Sequence, residues 1–233
     1  MLIDYLMNTH RSLAEQLSNF YTPSGLQVYI KDPLINQKID LEEIIGKVED
    51  VVPDHLRSEM EMVIVGWFEE FENQKISAFY KDGTLHLSPG IIDDESAFDD
   101  AVHEIAHSVE DVFGYTIYGD QKLKKEFLRK RKYLHDMLWK EGFKAPLNVF
   151  MNPEYDEDFD MFLYETVGYD KLSTICQGLF LSAYAPTSLQ EYFATGFLEF
   201  YLDPNHNFLK KTSPQLYKKL IILQDPKKLD NDD

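Results

Sequence analysis

The sequence predicts an α+β fold in which a small sheet-containing region comes first and helices dominate the second half. Between residues 26 and 88, short runs of β-branched and aromatic residues alternate with Asp, Gly and Pro, which is typical of strands and turns. From residue 96 onward, apolar residues recur every three or four positions, which is typical of helices packed on a core. The length of 233 residues suits one large domain or two smaller lobes.

The first 50 residues combine helical and strand patterns. Residues 2–20 show helical spacing of apolar residues, and residues 26–30 read as a short strand. Asp40 is placed to cap a second helix that starts at Leu41, with Glu43 at its third position. The core face of that helix would consist of Leu41, Ile44, Ile45 and Val48.

Three further strand-like runs precede residue 90. Residues 61–66 read as a buried strand, and residues 76–80 and 84–88 flank Lys81-Asp82-Gly83. Asp-Gly between strand-like runs is a strong β-hairpin signal. The run at 84–88 leads towards the next helix, so we expect it to border the cleft beside that helix. An extended peptide could add to this run as a further strand.

A buried helix is predicted for residues 96–114. Ser96 would cap its N-terminus, with Asp99 as the acidic residue of a capping box, and Gly114 would end it. Apolar residues nearly encircle the pattern, so the helix should lie in the interior.

This helix carries His103-Glu104-Ile105-Ala106-His107, an HExxH motif. Positions i and i+4 share one helix face, so the two imidazoles can bind one metal ion. Glu104 lies beside that pair, where a carboxylate can take a proton from a water molecule that the metal activates. Such a motif arises by chance in on the order of one in a hundred chains of this length, so a third ligand is needed to support the interpretation.

The remaining sequence predicts mainly helices. Residues 121–141 form a basic amphipathic pattern, which indicates either an anion or partner site or a solvated face that balances nearby acids, and we favour the solvated face. Residues 161–182, 188–201 and 213–223 have helical spacing, and residues 225–233 form a polar tail.

Composition narrows the possible partners and the location. The net charge of −18 argues against nucleic acid or an anionic membrane as the main partner, because both repel an acidic surface. The single cysteine, Cys176, excludes an intrachain disulfide, and its apolar neighbours favour burial. No signal-peptide pattern or membrane-spanning run is present, so we expect a cytoplasmic protein, with release by lysis or dedicated export as the route outside.

Glu191 is the candidate third ligand. A hydrolytic zinc site uses three protein ligands, and Glu191 heads an apolar helix in which Ala194 and Gly196 would allow close packing against the HExxH helix. Alternatively, Glu191 serves only its own helix, because Ser188-x-x-Glu191 is itself a capping box. The residues alone leave both roles open. Asp111, one turn after the motif, is a candidate to orient a ligand histidine, with Glu110 a weaker one.

Three blocks of residues together resemble one known family. The HExxH motif continues as S-V-E-D with Gly114-Tyr115, residues 191–197 read E-Y-F-A-T-G-F, and Tyr184 lies seven residues before Glu191. These blocks are similar to the catalytic domain of anthrax lethal factor and the related clostridial Pro-Pro endopeptidases, zinc metalloproteases of the gluzincin type.

The resemblance implies a zincin-like metalloprotease fold, with a single catalytic domain over residues 1–224. Its sheet-containing N-terminal lobe would cover about 1–114 and its helical C-terminal lobe about 115–224. Glu191 follows the motif at a greater distance than the family leads us to expect, so residues 119–170 would be an insertion.

Resemblance and chemistry together imply a zinc-dependent endopeptidase that hydrolyses peptide bonds of a protein or peptide substrate bound in extended conformation. His103, His107 and Glu191 would bind Zn²⁺. Glu104 would act as the general base, and the Tyr184 hydroxyl would donate a hydrogen bond to the oxyanion. The alternative is a zincin-fold module that binds a partner without catalysis, in which case partner binding would survive the loss of Glu104.

Overall fold

The structure, a computed structural model, describes residues 19–74 and 76–229. The predicted helix at 2–20 lies outside the described residues up to residue 18, and Asn19 and Phe20 belong to a strand instead. The α+β class is confirmed, since one sheet of five strands is combined with many helices. Two compact units divide the chain, Met1–Ser108 and Val109–Asp233.

The first unit contains a mixed sheet. Its strands are β1 (Asn19–Tyr21), β2 (Gln27–Ile30), β3 (Met62–Val65), β4 (Ala78–Lys81) and β5 (Thr84–Leu87). The order across the sheet is β1-β2-β3-β5-β4. The three inner strands run parallel, and the two edge strands are antiparallel to their neighbours.

The β4–β5 hairpin is confirmed, but the prediction that a peptide could add to the 84–88 run as a further strand is wrong. Asp82 and Gly83 have φ angles of 48° and 77°, the positive values that a two-residue hairpin turn requires. On its other side β5 pairs in parallel with β3, so it is an inner strand and β4 forms the edge. Leu85 and Leu87 are fully buried, which explains why β5 occupies the interior of the sheet.

Helix α1 (Leu41–Val51) is confirmed with its cap, because the Asp40 carboxylate accepts a hydrogen bond from the Glu43 N–H at 3.0 Å. All four predicted core residues are buried: Leu41, Ile44, Ile45 and Val48. A 3₁₀ turn (Asp54–Leu56) and helix α2 (Glu69–Gln74) follow.

The HExxH helix, α3 (Asp94–Tyr118), is longer than predicted at both ends. Asp93 is its cap, since its carboxylate accepts the Ser96 N–H at 2.8 Å; capping by Ser96 was therefore the wrong prediction. An Asp is as good a cap as Ser and comes three residues earlier, before two acids that suit a first turn. Gly114 does not end the helix, although the backbone is kinked beside it at Phe113.

The second unit is helical. After the end of α3 come α4 (Lys122–Lys140), α5 (Leu147–Phe150), α6 (Glu157–Met161), a π-helix (Phe162–Val167), α7 (Tyr169–Cys176), α8 (Leu189–Leu202), α9 (Asn207–Thr212), α10 (Pro214–Leu223) and α11 (Pro226–Leu229). Helices α4, α8 and α10 match the predicted segments. The segment 161–182 is not one helix, because Gly168 adopts a φ of 83° and the helical backbone ends at Cys176. Residues 226–229 of the predicted tail are helical.

Two basic residues of α4 are buried, so the prediction of a solvated basic face is wrong for them. The Lys130 ammonium donates a hydrogen bond to the Ser213 hydroxyl at 2.8 Å. The Arg131 guanidinium donates to the carbonyls of Val149 and Asn152 at 3.1 and 2.6 Å, and so holds the end of α5 against α4. These side chains are part of the core of the second unit.

Cys176 is buried as predicted, and burial raises the pKa of its thiol to about 12. None of the helices in the described residues is both long and apolar enough to cross a membrane.

Candidate metal centre

Helix α3 presents its two motif histidines on one face. His103 and His107 lie four residues apart, with ring centroids 5.2 Å apart and ring planes inclined at 79°. Both side chains are half-buried, whereas Ile105 and Ala106 between them are fully buried. The apolar residues therefore fix the helix in the first unit, and the imidazoles project together from another face.

Glu104 is oriented by the edge strand of the sheet. Its carboxylate accepts a hydrogen bond from the Tyr80 N–H at 3.1 Å, and that N–H belongs to β4. One helical turn earlier, the Asp100 carboxylate accepts the Ser77 hydroxyl at 2.5 Å. Helix α3 thus lies along the outer edge of β4, and the sheet restricts the direction of the Glu104 carboxylate.

Two acids of the same helix are partly removed from water. Burial raises the pKa of Asp100, which the Ser77 hydrogen bond partly opposes. Burial also raises the pKa of Asp99, and one of its carboxylate oxygens is buried without a hydrogen-bond partner. Because the Ser96 N–H is bonded to Asp93, Asp99 does not act as the capping-box residue that the sequence predicted.

Glu191 is the third residue of α8. Its backbone N–H donates to the Ser188 hydroxyl at 3.0 Å, so Ser188 is a true N-cap. That hydrogen bond uses the backbone of Glu191 and not its carboxylate. The two roles that the sequence left open, cap and ligand, are therefore compatible.

His103, His107 and Glu191 form a group that could hold a metal ion. One ligand atom from each residue lies within 4.8 Å of the other two, and all three side chains are half-buried. Across residues 19–74 and 76–229, this is the one group of three or more His, Cys, Asp or Glu side chains that meets this criterion. Two imidazole nitrogens and one carboxylate oxygen fit zinc, as in catalytic sites with a His₂Glu ligand set.

Tyr184 and three further polar residues surround Glu191 in the second unit. Burial and the Glu191 carboxylate raise the pKa of Tyr184 well above its usual value, so its hydroxyl stays protonated at neutral pH. Tyr155 and Tyr169 donate hydrogen bonds to the Asp160 carboxylate at 3.3 and 3.4 Å. No spacing signal in the sequence links these residues to Glu191, because they come from separate elements.

Of the two acids that follow the motif, the structure favours Glu110 over Asp111 as one that orients a neighbouring side chain. Asp111 is exposed, whereas Glu110 is buried and accepts a hydrogen bond from the Tyr118 hydroxyl. The helix kink beside Gly114 lies between these two partners.

Comparisons of this chain with protein-family models, with curated proteins and with solved structures found no match. The residues of the site therefore carry the functional argument by themselves.

Proposed function

We propose that the protein is a zinc-dependent endopeptidase with a zincin-like catalytic domain of the lethal factor and Pro-Pro endopeptidase type. The observation that carries the proposal is the group formed by His103, His107 and Glu191. Two of these residues belong to an HExxH motif, and the third lies far away in sequence. Chance explains a motif more easily than it explains a remote carboxylate beside that motif.

The three ligands would hold zinc, and Glu104 would move the proton. Bound zinc supplies Lewis-acid chemistry, polarising the peptide carbonyl and lowering the pKa of a water molecule to about 7. Glu104 takes the proton of the attacking water and passes it to the leaving amine. The Tyr80 N–H, which already binds this carboxylate, keeps it in one direction during both transfers.

Tyr184 would stabilise the oxyanion that forms on the substrate carbonyl. A hydrogen-bond donor is effective there only while it keeps its proton. The raised pKa of Tyr184 meets this condition at any physiological pH. A module that only binds a partner would not need a glutamate oriented beside the metal ligands, so the bonded Glu104 favours the enzyme over the binding module.

An extended substrate remains part of the proposal, without pairing to the sheet. Because β5 is an inner strand, a peptide cannot pair with it, and β4 is the strand at this edge of the sheet. Helix α3 lies along the outer edge of β4, where the Tyr80 N–H is bonded to Glu104, so strand pairing with β4 is not part of the proposal.

Cleavage of a peptide library tests the proposal. We expect the zinc-loaded protein to cut a proteome-derived library, with new N-termini read by mass spectrometry. Glu104→Gln should lower the cleavage rate by about 10²–10⁴-fold, because it removes the general base. Its zinc content should equal that of the parent.

The matched control is Glu95→Gln, which changes an exposed acid on the same helix. This variant should cleave like the parent. Full activity in Glu104→Gln would refute the proposed mechanism.

A further inference from the structure

Helix α4 carries a row of positive charges on its outer surface. Lys122, Lys125, Arg129 and Lys132 are all exposed and follow one another at intervals of three, four and three residues. That spacing places them on one face of the helix, over a length of about 15 Å. The opposite face of α4 packs into the core of the second unit through residues such as Leu123, Phe127 and Leu134.

Within residues 19–74 and 76–229, most of these charges have no carboxylate partner. In the described parts of the chain, Lys125, Arg129 and Lys132 form no ion pair with a carboxylate, and Lys122 pairs only with Asp120. The chain has 41 acidic and 23 basic residues, so acids are available in excess. Like charges one turn apart destabilise a helix, and within this row only Lys132 has an exposed acid, Asp136, one turn away on the same helix. These exposed residues are solvated, as the sequence predicts, but apart from the Lys122–Asp120 pair no ion pair among the described residues balances their charge.

A cavity of about 340 Å³ lies at the Lys122 end of this row. It is lined by Asp120, Lys122, Gln215, Lys218, Lys219 and Ile222. Lys122 and Lys219 both contact the single carboxylate, that of Asp120, at 3.2 and 3.3 Å. Lys218 is exposed and makes no ion pair among the described residues. Three ammonium groups against one carboxylate leave the cavity positively charged.

We propose that this surface binds an acidic segment of a partner protein. The surface, which we call the basic face, consists of Lys122, Lys125, Arg129, Lys132 and Lys218. One carboxylate of the segment would enter the cavity beside Lys218, and others would lie along α4. This binding activity goes beyond the proposed peptidase and does not depend on it.

Charge complementarity selects a short acidic segment over other anions. The basic face spans about 15 Å, and salt screens charges beyond about 8 Å at physiological ionic strength. A short segment therefore meets the positive charges alone. Duplex nucleic acid or an anionic membrane would extend beyond the row, over a unit (residues 109–233) in which 20 acidic residues outnumber 16 basic ones.

Fluorescence anisotropy with a labelled peptide tests this proposal. The probe is a peptide of about twelve residues that alternates Glu and Ser, titrated with the full chain at low salt. Combined substitution of Lys125→Gln, Arg129→Gln and Lys132→Gln should weaken binding at least about tenfold, since charge pairs across an interface set its strength and on-rate. Gln favours helix almost as well as Lys and Arg, so the variant should fold, which its circular dichroism will show.

The control variant combines Lys38→Gln, Lys211→Gln and Lys228→Gln, which removes the same charge from exposed sites elsewhere. It should bind within about twofold of the parent if the local row matters and not the net charge. Lys218→Gln alone should weaken binding severalfold. The proposal is overturned if the parent does not bind the peptide, if the row variant binds equally well, or if duplex DNA binds the same residues more tightly.

Discussion

At the scale of single residues, Tyr184 is the member of the proposed site whose environment most clearly favours its protonated form. Burial is the main cause of its raised pKa, and the Glu191 and Asp160 carboxylates add to it. Such a tyrosine can donate a hydrogen bond but cannot act as a base near neutral pH. Its role in the proposed reaction is therefore to stabilise negative charge.

Tyr184→Phe should lower kcat about 10²–10³-fold, as the loss of one oxyanion donor does in other enzymes. Zinc content should not change, because the hydroxyl is not a ligand. Steady-state cleavage of a library-derived peptide measures the effect, with Tyr133→Phe as the control at an exposed tyrosine. Unchanged kcat in Tyr184→Phe would contradict the assigned role.

A second prediction at this scale concerns the buried ammonium group of Lys130. Burial lowers the pKa of its ammonium from 10.5 to about 8, which the Glu126 carboxylate only partly opposes. The unfolded chain therefore binds a proton between these pH values that the folded chain lacks, so this residue makes stability rise with pH from about 8 to 10.5. Below that window the buried charge costs up to about 3 kcal/mol.

Lys130→Met should remove this pH dependence and leave the other titrating groups, including Cys176 nearby, in place. Urea unfolding of the parent and the variant at several pH values from 7 to about 10.5 isolates the difference. The control is Lys132→Met, at an exposed position of the same helix. The prediction is contradicted if the free energies of unfolding of the parent and Lys130→Met change with pH in the same way. In that case the pKa of Lys130 would be the same in the folded and the unfolded chain.

A site residue could be predicted from the sequence when the pattern that marks it lies within a short stretch of the chain. His103, Glu104 and His107 share one helical turn, so their spacing alone indicates a common purpose. The hydrogen bond from the Tyr80 N–H to Glu104 could not be predicted, because it depends on β4 becoming the edge strand and lying beside α3. Asp160 gave no signal, since its partners come from different elements.

At the scale of elements, Gly196 decides how α8 packs. A Cβ at this position would overlap the side chain of Leu216, so the glycine lets α10 approach α8 closely. The sequence predicted that this small residue allows close packing against the HExxH helix, whereas the contact that needs it is with α10. Close packing was therefore the correct reason for a small residue here, but the helix that packs against it is a different one.

Gly196→Ala should destabilise the protein by about 1–3 kcal/mol, because overpacking exceeds the gain in helix propensity. Gly46→Ala is the matched control, since Gly46 lies inside α1 with nothing within 4 Å of an added Cβ. That control should stabilise by about 0.5–1 kcal/mol. Chemical denaturation measures both, and a stabilised Gly196→Ala would contradict the packing.

Element boundaries were predictable where the signal was chemical and local. The Asp40 cap of α1 and the Asp82-Gly83 turn appeared where their residue types require them. The start of α3 was misjudged because Asp93 and Ser96 are both good caps and only the fold chooses between them. The π-helix after α6 has no known sequence signature, so the helical spacing at 161–182 concealed it.

At the scale of the whole molecule, zinc binding should contribute to stability. A ligand that binds only the folded chain stabilises it by about 2.7 kcal/mol at a concentration one hundred times its Kd. Chelation should therefore lower Tm by several degrees, and added zinc should restore it. Calorimetry with and without chelator measures this effect, and magnesium is the control ion because imidazole ligands do not favour it. An identical Tm in all conditions would count against a folded-state zinc site.

The most direct test of the account is the zinc content of the purified chain. We expect about one zinc per chain in the parent, and less than about a tenth of that in Glu191→Ala after dialysis, because a ligand is lost. Glu199→Ala, on the same helix, should retain the parent value. No zinc in the parent, or equal zinc in the parent and Glu191→Ala, would contradict the three-ligand site on which the proposed function rests.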